Sequence, residues 1–238
     1  GMLFTIGARP SIGKTAYCIN LAYQITDLDS DVQVDYFTLE MTKREMANRL
    51  ISRDTGISSK AIKNGFNLSS VQQEIVHKSV DHFKSRKIHV YDKTPNLSSI
   101  MTVIRRNAAK SKPYKYVAIV DYIGLVEVDR SMDRYMQVGE ITRQLKVATN
   151  DLDIPIIALS QLNRSIESRM DKRPTLSDLR ESGSVEQDSN VVGFLYRPDE
   201  IEAPNVEFLE IAKNREGSLG DIPYNFVGSK MLFQELKK

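Results

Sequence analysis

Short apolar runs alternate with segments in which apolar residues recur at helical spacing, almost from one end of the chain to the other. A strand buried on both faces reads as a near-continuous apolar run, whereas a helix lying on a sheet shows a single apolar stripe. The alternation therefore predicts an α/β fold, a mostly parallel central sheet flanked by helices. Leu3 to Gly7 reads as the first strand, Lys14 to Thr26 as the first helix and Val34 to Glu40 as the second strand. In TKREMANRLISRDTG, Thr42 and Glu45 stand at capping-box spacing, Met46, Leu50 and Ile51 share one face, and Gly56 marks the stop. Ser70 to Arg86 reads as a helix with Val71, Ile75 and Phe83 as its stripe, followed by a strand in KIHVYD and a helix from Ser98 to Lys110. Tyr116 to Val126 is apolar apart from Asp121 and reads as a central buried strand; a helix bearing Ile141, Leu145, Ala148 and Leu152 and a strand from Ile154 to Leu162 come next.

After Leu162 the pattern changes. Residues 163 to 190 are polar, with no clear strand or long helix, and a connection of that length in a compact domain is usually functional or disordered. VVGFLYR, VEFLEIAKNR, PYNFVG and KMLFQEL then read as strands, with Gly228 and Ser229 at a turn. The last three are expected as antiparallel additions at the sheet edge.

Composition narrows the reading only a little. At 238 residues, 41% hydrophobic and 27% charged, the chain fits one large α/β domain or two small ones. A formal charge of +2 makes any nucleic-acid surface a local patch. The one cysteine, Cys18, excludes a disulfide framework, and the three histidines lack zinc-ligand spacing. No apolar run approaches the roughly 20 residues of a membrane helix, and no signal-peptide pattern stands at the start. A reducing, cytoplasmic setting is the expectation.

The chemistry is concentrated in TIGARPSIGKTAYCIN, residues 5 to 20, where Gly13-Lys14-Thr15 lies between a predicted strand and a predicted helix. A triphosphate needs backbone N–H donors, a helix N-terminus and a cation held together. The loop Ala8, Arg9, Pro10, Ser11, Ile12, Gly13, Lys14, Thr15 and Ala16 offers that arrangement, with Lys14 toward the β- and γ-phosphates and the Thr15 hydroxyl toward Mg2+. Ala8, however, stands where the usual G-x-x-x-x-G-K-[ST] pattern has its first glycine. Asp121, closing the apolar run of a buried strand, is positioned to hold Mg2+ through water. Glu40, at the end of the second predicted strand, is a candidate general base for the attacking water. On spacing alone, a strand-end glutamate opening a turn stays open as its alternative.

With these residues in place, the chain resembles the C-terminal motor domain of DnaB-type replicative helicases. The segments that carry the resemblance, in order, are ARPSIGKTAYCINLA, YFTLEM, IVDYIGLV, IPIIALSQLNRSIESRMDKRPTLSDLRESGSVEQDSNVVGFLYR and AKNREGSLG. It spans nearly the whole chain and implies a RecA-like P-loop NTPase fold with antiparallel C-terminal strands, in one motor domain over residues 1–238. It also accounts for Ala8, because the family's loop commonly reads A-R-P-S-x-G-K-T; Gly7 beside it is expected to supply flexibility.

Position by position, the resemblance implies Lys14 and Thr15 for phosphate and Mg2+, Asp121 as the Walker B carboxylate, Glu40 as catalytic base and Gln161 as γ-phosphate sensor. It implies that Lys213 and Arg215 enter a neighbouring subunit's site, where cations supplied in trans stabilise the transferred phosphoryl group; from the sequence alone they would be ordinary basic hairpin residues. Arg180, Glu181 and Gly183 are implied as contacts to single-stranded DNA, with the loop from Asp129 to Tyr135 as a lesser contributor. Arg164, Arg169, Lys172, Arg173 and Arg180 crowd that segment, but Glu167, Asp171, Asp178 and Glu181 offset four of those five charges, leaving it weakly basic.

The function implied is an ATP-dependent 5′ to 3′ DNA helicase motor, homo-hexameric in the full-length protein, acting with a primase and a loader. A non-motor RecA-like ATPase, such as a recombinase filament subunit or an ATP-gated loader, is the rival that shares fold and loop. Two departures stand out. Gly124 replaces the family's usual glutamine, and the family's N-terminal domain, linker helix and lead-in segment do not precede the first strand, so the sequence reads as a fragment.

Overall fold

The computed structural model describes residues 1–65, 67–128, 133–179, 183–198 and 205–236. Its frame runs β1 (Leu3–Ala8), α1 (Lys14–Leu28), β2 (Gln33–Thr38), α2 (Lys43–Thr55), α3 (Ser59–Asn64), α4 (Ser70–Ser85), β3 (Ile88–Tyr91), α5 (Leu97–Ala108) and β4 (Tyr116–Asp121). It continues through α6 (Arg134–Leu152), β5 (Ile156–Gln161), α7 (Gly183–Asp188), β6 (Val191–Tyr196), β7 (Val206–Asn214), β8 (Gly220–Val227) and β9 (Leu232–Glu235). The strands form one sheet in the order β3-β2-β4-β5-β1-β6-β7-β8-β9. Pairing is parallel from β3 to β6 and antiparallel from β6 to β9, as the sequence pattern predicts.

Period-two alternation along the strands builds two cores. In β4, Val117 and Ile119 pack with Ala16, Cys18, Ile19 and Ala22 of α1 and Met46 and Leu50 of α2. Tyr116, Ala118 and Val120 turn to the opposite face, under Ile100 and Ile104 of α5 and Ile141 and Leu145 of α6. β5 repeats the split, with Ile157 and Leu159 on the first face and Ile156 and Ala158 on the second. The parallel strands thus end together at one rim of the sheet, where ligands of open α/β folds bind.

Helix α2 matches its sequence signals. The Thr42 hydroxyl accepts from Glu45 N–H, the Glu45 carboxylate accepts from Thr42 N–H, and Gly56 takes a left-handed φ of 69° at the C-cap.

Several expectations need correction. The central strand stops at Asp121, five residues short of Val126, and a 3₁₀ turn (Ile123–Leu125) follows; the apolar run continues because Ile123 and Val126 are themselves buried. On α4 Phe83 packs on the core, whereas Val71 and Ile75 are 64% and 41% exposed. Helix α3 is not announced by any stripe and buries no residue. The polar stretch after Leu162 contains two 3₁₀ turns (Arg164–Ser168, Leu176–Asp178) and the short α7. Among the described residues, no helix is long and apolar enough to cross a membrane.

Candidate functional site

The loop between β1 and α1 is shaped by two left-handed residues, Ser11 at φ 69° and Gly13 at φ 97°. At Gly13 a side chain is excluded twice, by that φ and because a β-carbon would stand 3.0 Å from the Phe226 ring. Gly13 is also the N-cap of α1 and provides no side-chain cap, so the first N–H groups of the helix face the cleft with the positive end of its dipole. Ala8 lies outside the turn as the last, buried residue of β1, which is why the absent first glycine does no harm. Gly7 is a close-packing position and not the expected source of flexibility: it pairs with Ser160 and Phe194 on the flanking strands, and a β-carbon there would come within 2.8 Å of Leu162.

Arg9, Pro10, Ser11, Gly13, Lys14, Thr15 and Ala16 line one wall of a cleft of ≈ 460 Å³, and Glu40 and Gln161 line the others. Burial pushes the Lys14 ammonium below the ordinary lysine range, and Asp121 pulls it back. Asp121 is 2% exposed. Its Oδ2 accepts from Tyr36 Oη at 3.0 Å, while its buried Oδ1 has no hydrogen-bond partner among the described residues. A buried carboxylate oxygen left unpaired is costly, and a hydrated dication nearby would satisfy it. No cluster of three or more His, Cys, Asp or Glu side chains suited to a metal exists among the described residues. A site of one hydroxyl and one carboxylate therefore suits Mg2+, which keeps several waters and is completed by phosphate, and does not suit a metal held by protein ligands alone.

Glu40 lies two residues beyond the end of β2, exposed on the cleft rim. Gln161 is the last residue of β5 and the register partner of Ala8. The segment after it is tied to the loop: Arg9 Nη1 donates to Leu162 O at 2.8 Å, and its Nε donates to Glu167 Oε1 at 3.0 Å.

Six cleft residues escaped the sequence reading: Met41, Arg49, Tyr122, Phe226, Gly228 and Met231. Arg49 sits on the half-buried side of α2, where position within the helix was the available signal. Phe226 and Met231 come from β8 and the turn after it, strands whose approach to α1 no local pattern announces. The contact is specific: Asn20 on α1 donates from Nδ2 to Met231 O at 2.6 Å and accepts from Phe233 N–H at 3.3 Å.

Lys213 and Arg215 are not brought to this cleft. Lys213 pairs with Val192 on β6, level with Thr5 near the start of β1, and Arg215 N–H donates to Asn190 O beyond the strand end. The loop begins at the other end of β1, roughly 10–15 Å away at strand rise. Both side chains instead donate to the last carbonyls of α7, Lys213 Nζ to Glu186 O and Arg215 Nη2 to Gln187 O, as cations at a helix C-terminus do.

Of the residues expected to meet DNA, Arg180 and Glu181 lie outside the described residues, as does most of the loop from Asp129 to Tyr135. Gly183 opens α7, and a β-carbon there would stand 3.1 Å from Tyr135 Oη. Two of the neighbouring cations are held within the chain: Arg169 pairs with Asp178, and Arg173 pairs with Glu210 at 3.0 Å and Asp221 at 3.0 Å.

Residues 1–235 match the family model for the DnaB-like helicase C terminal domain. The replicative DNA helicase DnaC of Bacillus subtilis (strain 168) is 36% identical over 244 residues, covering 99% of this chain and 53% of that protein. The replicative DNA helicase DnaB of Helicobacter pylori (strain ATCC 700392 / 26695) is 40% identical over 199 residues, covering 83% of this chain and 40% of that protein. The chain thus spans about half the length, or less, of these curated relatives. Among solved structures, one described as an ATPase domain superposes with a TM-score of 0.93 at 34% identity, covering 99% of this chain and 85% of that one. A DnaB-like replicative helicase, described with its interactions with primase, gives a TM-score of 0.93 at 35% identity, covering 99% and 57%.

Proposed function

Because the chain belongs to the DnaB-like helicase C-terminal domain family, we propose that it is an ATP-hydrolysing motor that drives translocation along single-stranded DNA, 5′ to 3′, and duplex unwinding at a replication fork. The observation that carries this reading is the convergence of Lys14, Thr15, Glu40 and Gln161 on one cleft at the strand ends, with the unpaired oxygen of Asp121 behind it.

In this mechanism the N–H groups of the loop and the Lys14 ammonium hold the β- and γ-phosphates of ATP. The Thr15 hydroxyl and, through water, Asp121 would hold Mg2+, which when bound would neutralise phosphate charge. Tyr36, donating to Asp121 Oδ2, leaves Oδ1 directed to that role. Glu40 orients the attacking water and takes its proton, and exposure on the cleft rim gives it access to water. Gln161 bonds a γ-phosphate oxygen or the water, and its backbone passes the change into the segment that ends at the DNA-facing residues Arg180, Glu181 and Gly183.

Lys213 and Arg215 stand at the far end of the sheet from their own cleft, so in this reading they serve a neighbouring copy in a homo-hexamer. A primase and a loader are the further partners proposed, and the cytoplasm is the proposed compartment.

ATPase rate against protein concentration, with and without single-stranded DNA, tests the motor, and strand displacement on forks tailed at one end only tests its direction. The proposal expects hydrolysis to rise cooperatively with concentration and DNA in a chain extended N-terminally, and displacement only with a 5′ tail. A DNA-independent rate unchanged on dilution, or coating and pairing of strands without displacement, would place the protein with the non-motor ATPases.

A further inference from the structure

Tyr122 lies against the principal cation of the site: its ring centroid is 4.4 Å from Lys14 Nζ. The residue also lines a second cavity of ≈ 200 Å³, shared with Gly124, Arg134, Ser160 and Gln161. It reaches this position by lying back over Gly124, where a β-carbon would stand 2.5 Å from its Cε2 and 2.9 Å from its Cδ2. Gly124 is not among the residues of positive φ, so the backbone would accept a side chain there. The aromatic ring is what excludes one, and as a rigid plane it can yield only by swinging as a whole away from its present place over Lys14.

We propose that Tyr122 is a positioning residue that holds the Lys14 ammonium against its ring in competition with phosphate, and that Gly124 is the residue that permits it to do so. This rests on the reading of Lys14 as the phosphate-binding cation. The physical need is plain: a buried ammonium has given up water, and the negative face of an aromatic ring replaces part of that solvation. A phosphate that drew the ammonium off the ring would forfeit this contact, so the contact opposes nucleotide binding by that amount.

The test uses the whole chain with 13Cε-labelled lysine, the Lys14 signal being the one absent from Lys14→Arg, together with titration of a non-hydrolysable ATP analogue with an imido β–γ bridge. The nucleotide-free protein is expected to show a Lys14 signal shifted upfield by the ring current, kept in Tyr122→Phe and lost in both Tyr122→Leu and Gly124→Ala. The analogue should remove the upfield shift in the unaltered protein and should bind the two disrupted variants roughly two- to tenfold more tightly, the span of a cation–π contact. An unshifted Lys14 signal in the empty protein, or weaker analogue binding by Tyr122→Leu and Gly124→Ala alike, overturns the proposal. Failure of the phosphate-site reading looks different: Lys14→Arg and Lys14→Ala would then bind the analogue as tightly as the unaltered chain, whatever the empty-state spectrum shows.

Discussion

Ala8 and Gln161 are register partners at the ends of the adjacent parallel strands β1 and β5, and Leu162 N–H donates to Ala8 O at 3.1 Å just beyond them. The residue that precedes the proposed phosphate loop and the residue proposed to sense the γ-phosphate are therefore fixed to one another by sheet hydrogen bonds. Arg9 extends the tie by holding Leu162 O and Glu167. A shift of the loop on nucleotide binding must be felt by the segment after β5.

That arrangement separates binding from chemistry at position 161. Gln161→Ala removes the amide and leaves the backbone pairing intact, so analogue affinity is expected to change by less than about threefold. Turnover in the assembled protein should fall by roughly 10²- to 10³-fold, as on loss of one preorganised donor to a reacting oxyanion. Equilibrium titration beside steady-state ATPase separates the two, and a loss confined to affinity would make Gln161 a simple binding contact.

The unpaired Oδ1 of Asp121 leads to an experiment with the metal withdrawn. Asp121→Asn keeps an acceptor for Tyr36 but places an NH2 or a neutral oxygen where a water on Mg2+ needs a carboxylate. In EDTA the variant and the unaltered chain should bind nucleotide alike. With Mg2+ restored, only the unaltered chain should gain affinity, and the variant's turnover should be down about 10²-fold or more. A variant that still responds fully to Mg2+ in calorimetry would remove Asp121 from the metal's water shell.

How much of this was legible beforehand depends on the range of the interaction concerned. Helix α2 was readable to its caps because Thr42, Glu45 and Gly56 act within a few residues of one another. The β1 to α1 loop was readable for the same reason. The end of β4 was not, since Ile123 and Val126 are buried as fully as the strand residues before them, and burial alone does not distinguish a strand from the turn that follows it. Phe226 and Met231 reach the cleft through the pairing of β6 to β9 and the hydrogen bonds of Asn20, long-range facts with no local signature. Lys213 and Arg215 carried no signal of their own; the resemblance singled them out, and the register then separated them from their own cleft.

That separation can be tested by mixing. Arg215→Ala, and to a lesser degree Lys213→Ala, should lower hydrolysis in assembled protein by roughly 10³-fold, the effect of losing a cation supplied in trans, while the isolated domain binds nucleotide normally. Lys14→Ala subunits have a defective cleft but intact Lys213 and Arg215. Mixed with Arg215→Ala subunits under conditions of subunit exchange, they should restore part of the lost rate. Two inactive variants that stay inactive after demonstrated exchange would argue that these cations do not serve a neighbour's site.

Stability should depend on pH through a group remote from the proposed chemistry. Glu207 on β7 is fully buried, and its carboxylate is paired with Arg197 Nη2 at 2.9 Å while Oε2 has no partner among the described residues. Burial pushes its pKa up from 4.5 to about 7, against the pull of Arg197. A raised folded-state value means that below about pH 4.5 both states hold the proton and the stabilising difference is fully present. As pH rises toward 7 the unfolded chain loses its proton first, so stability is lost through that window and levels off above it. The loss is about 3 kcal/mol, which for a chain of this size is roughly 6–12 °C in Tm. Glu207→Gln keeps an oxygen for Arg197 and cannot titrate. Its Tm relative to the unaltered protein should therefore improve by about that amount between pH 5 and pH 8 in thermal unfolding followed by circular dichroism. Parallel pH profiles for the two chains would mean that Glu207 titrates in the folded protein as it does in the unfolded one, and that Arg197 offsets the whole cost of burying it.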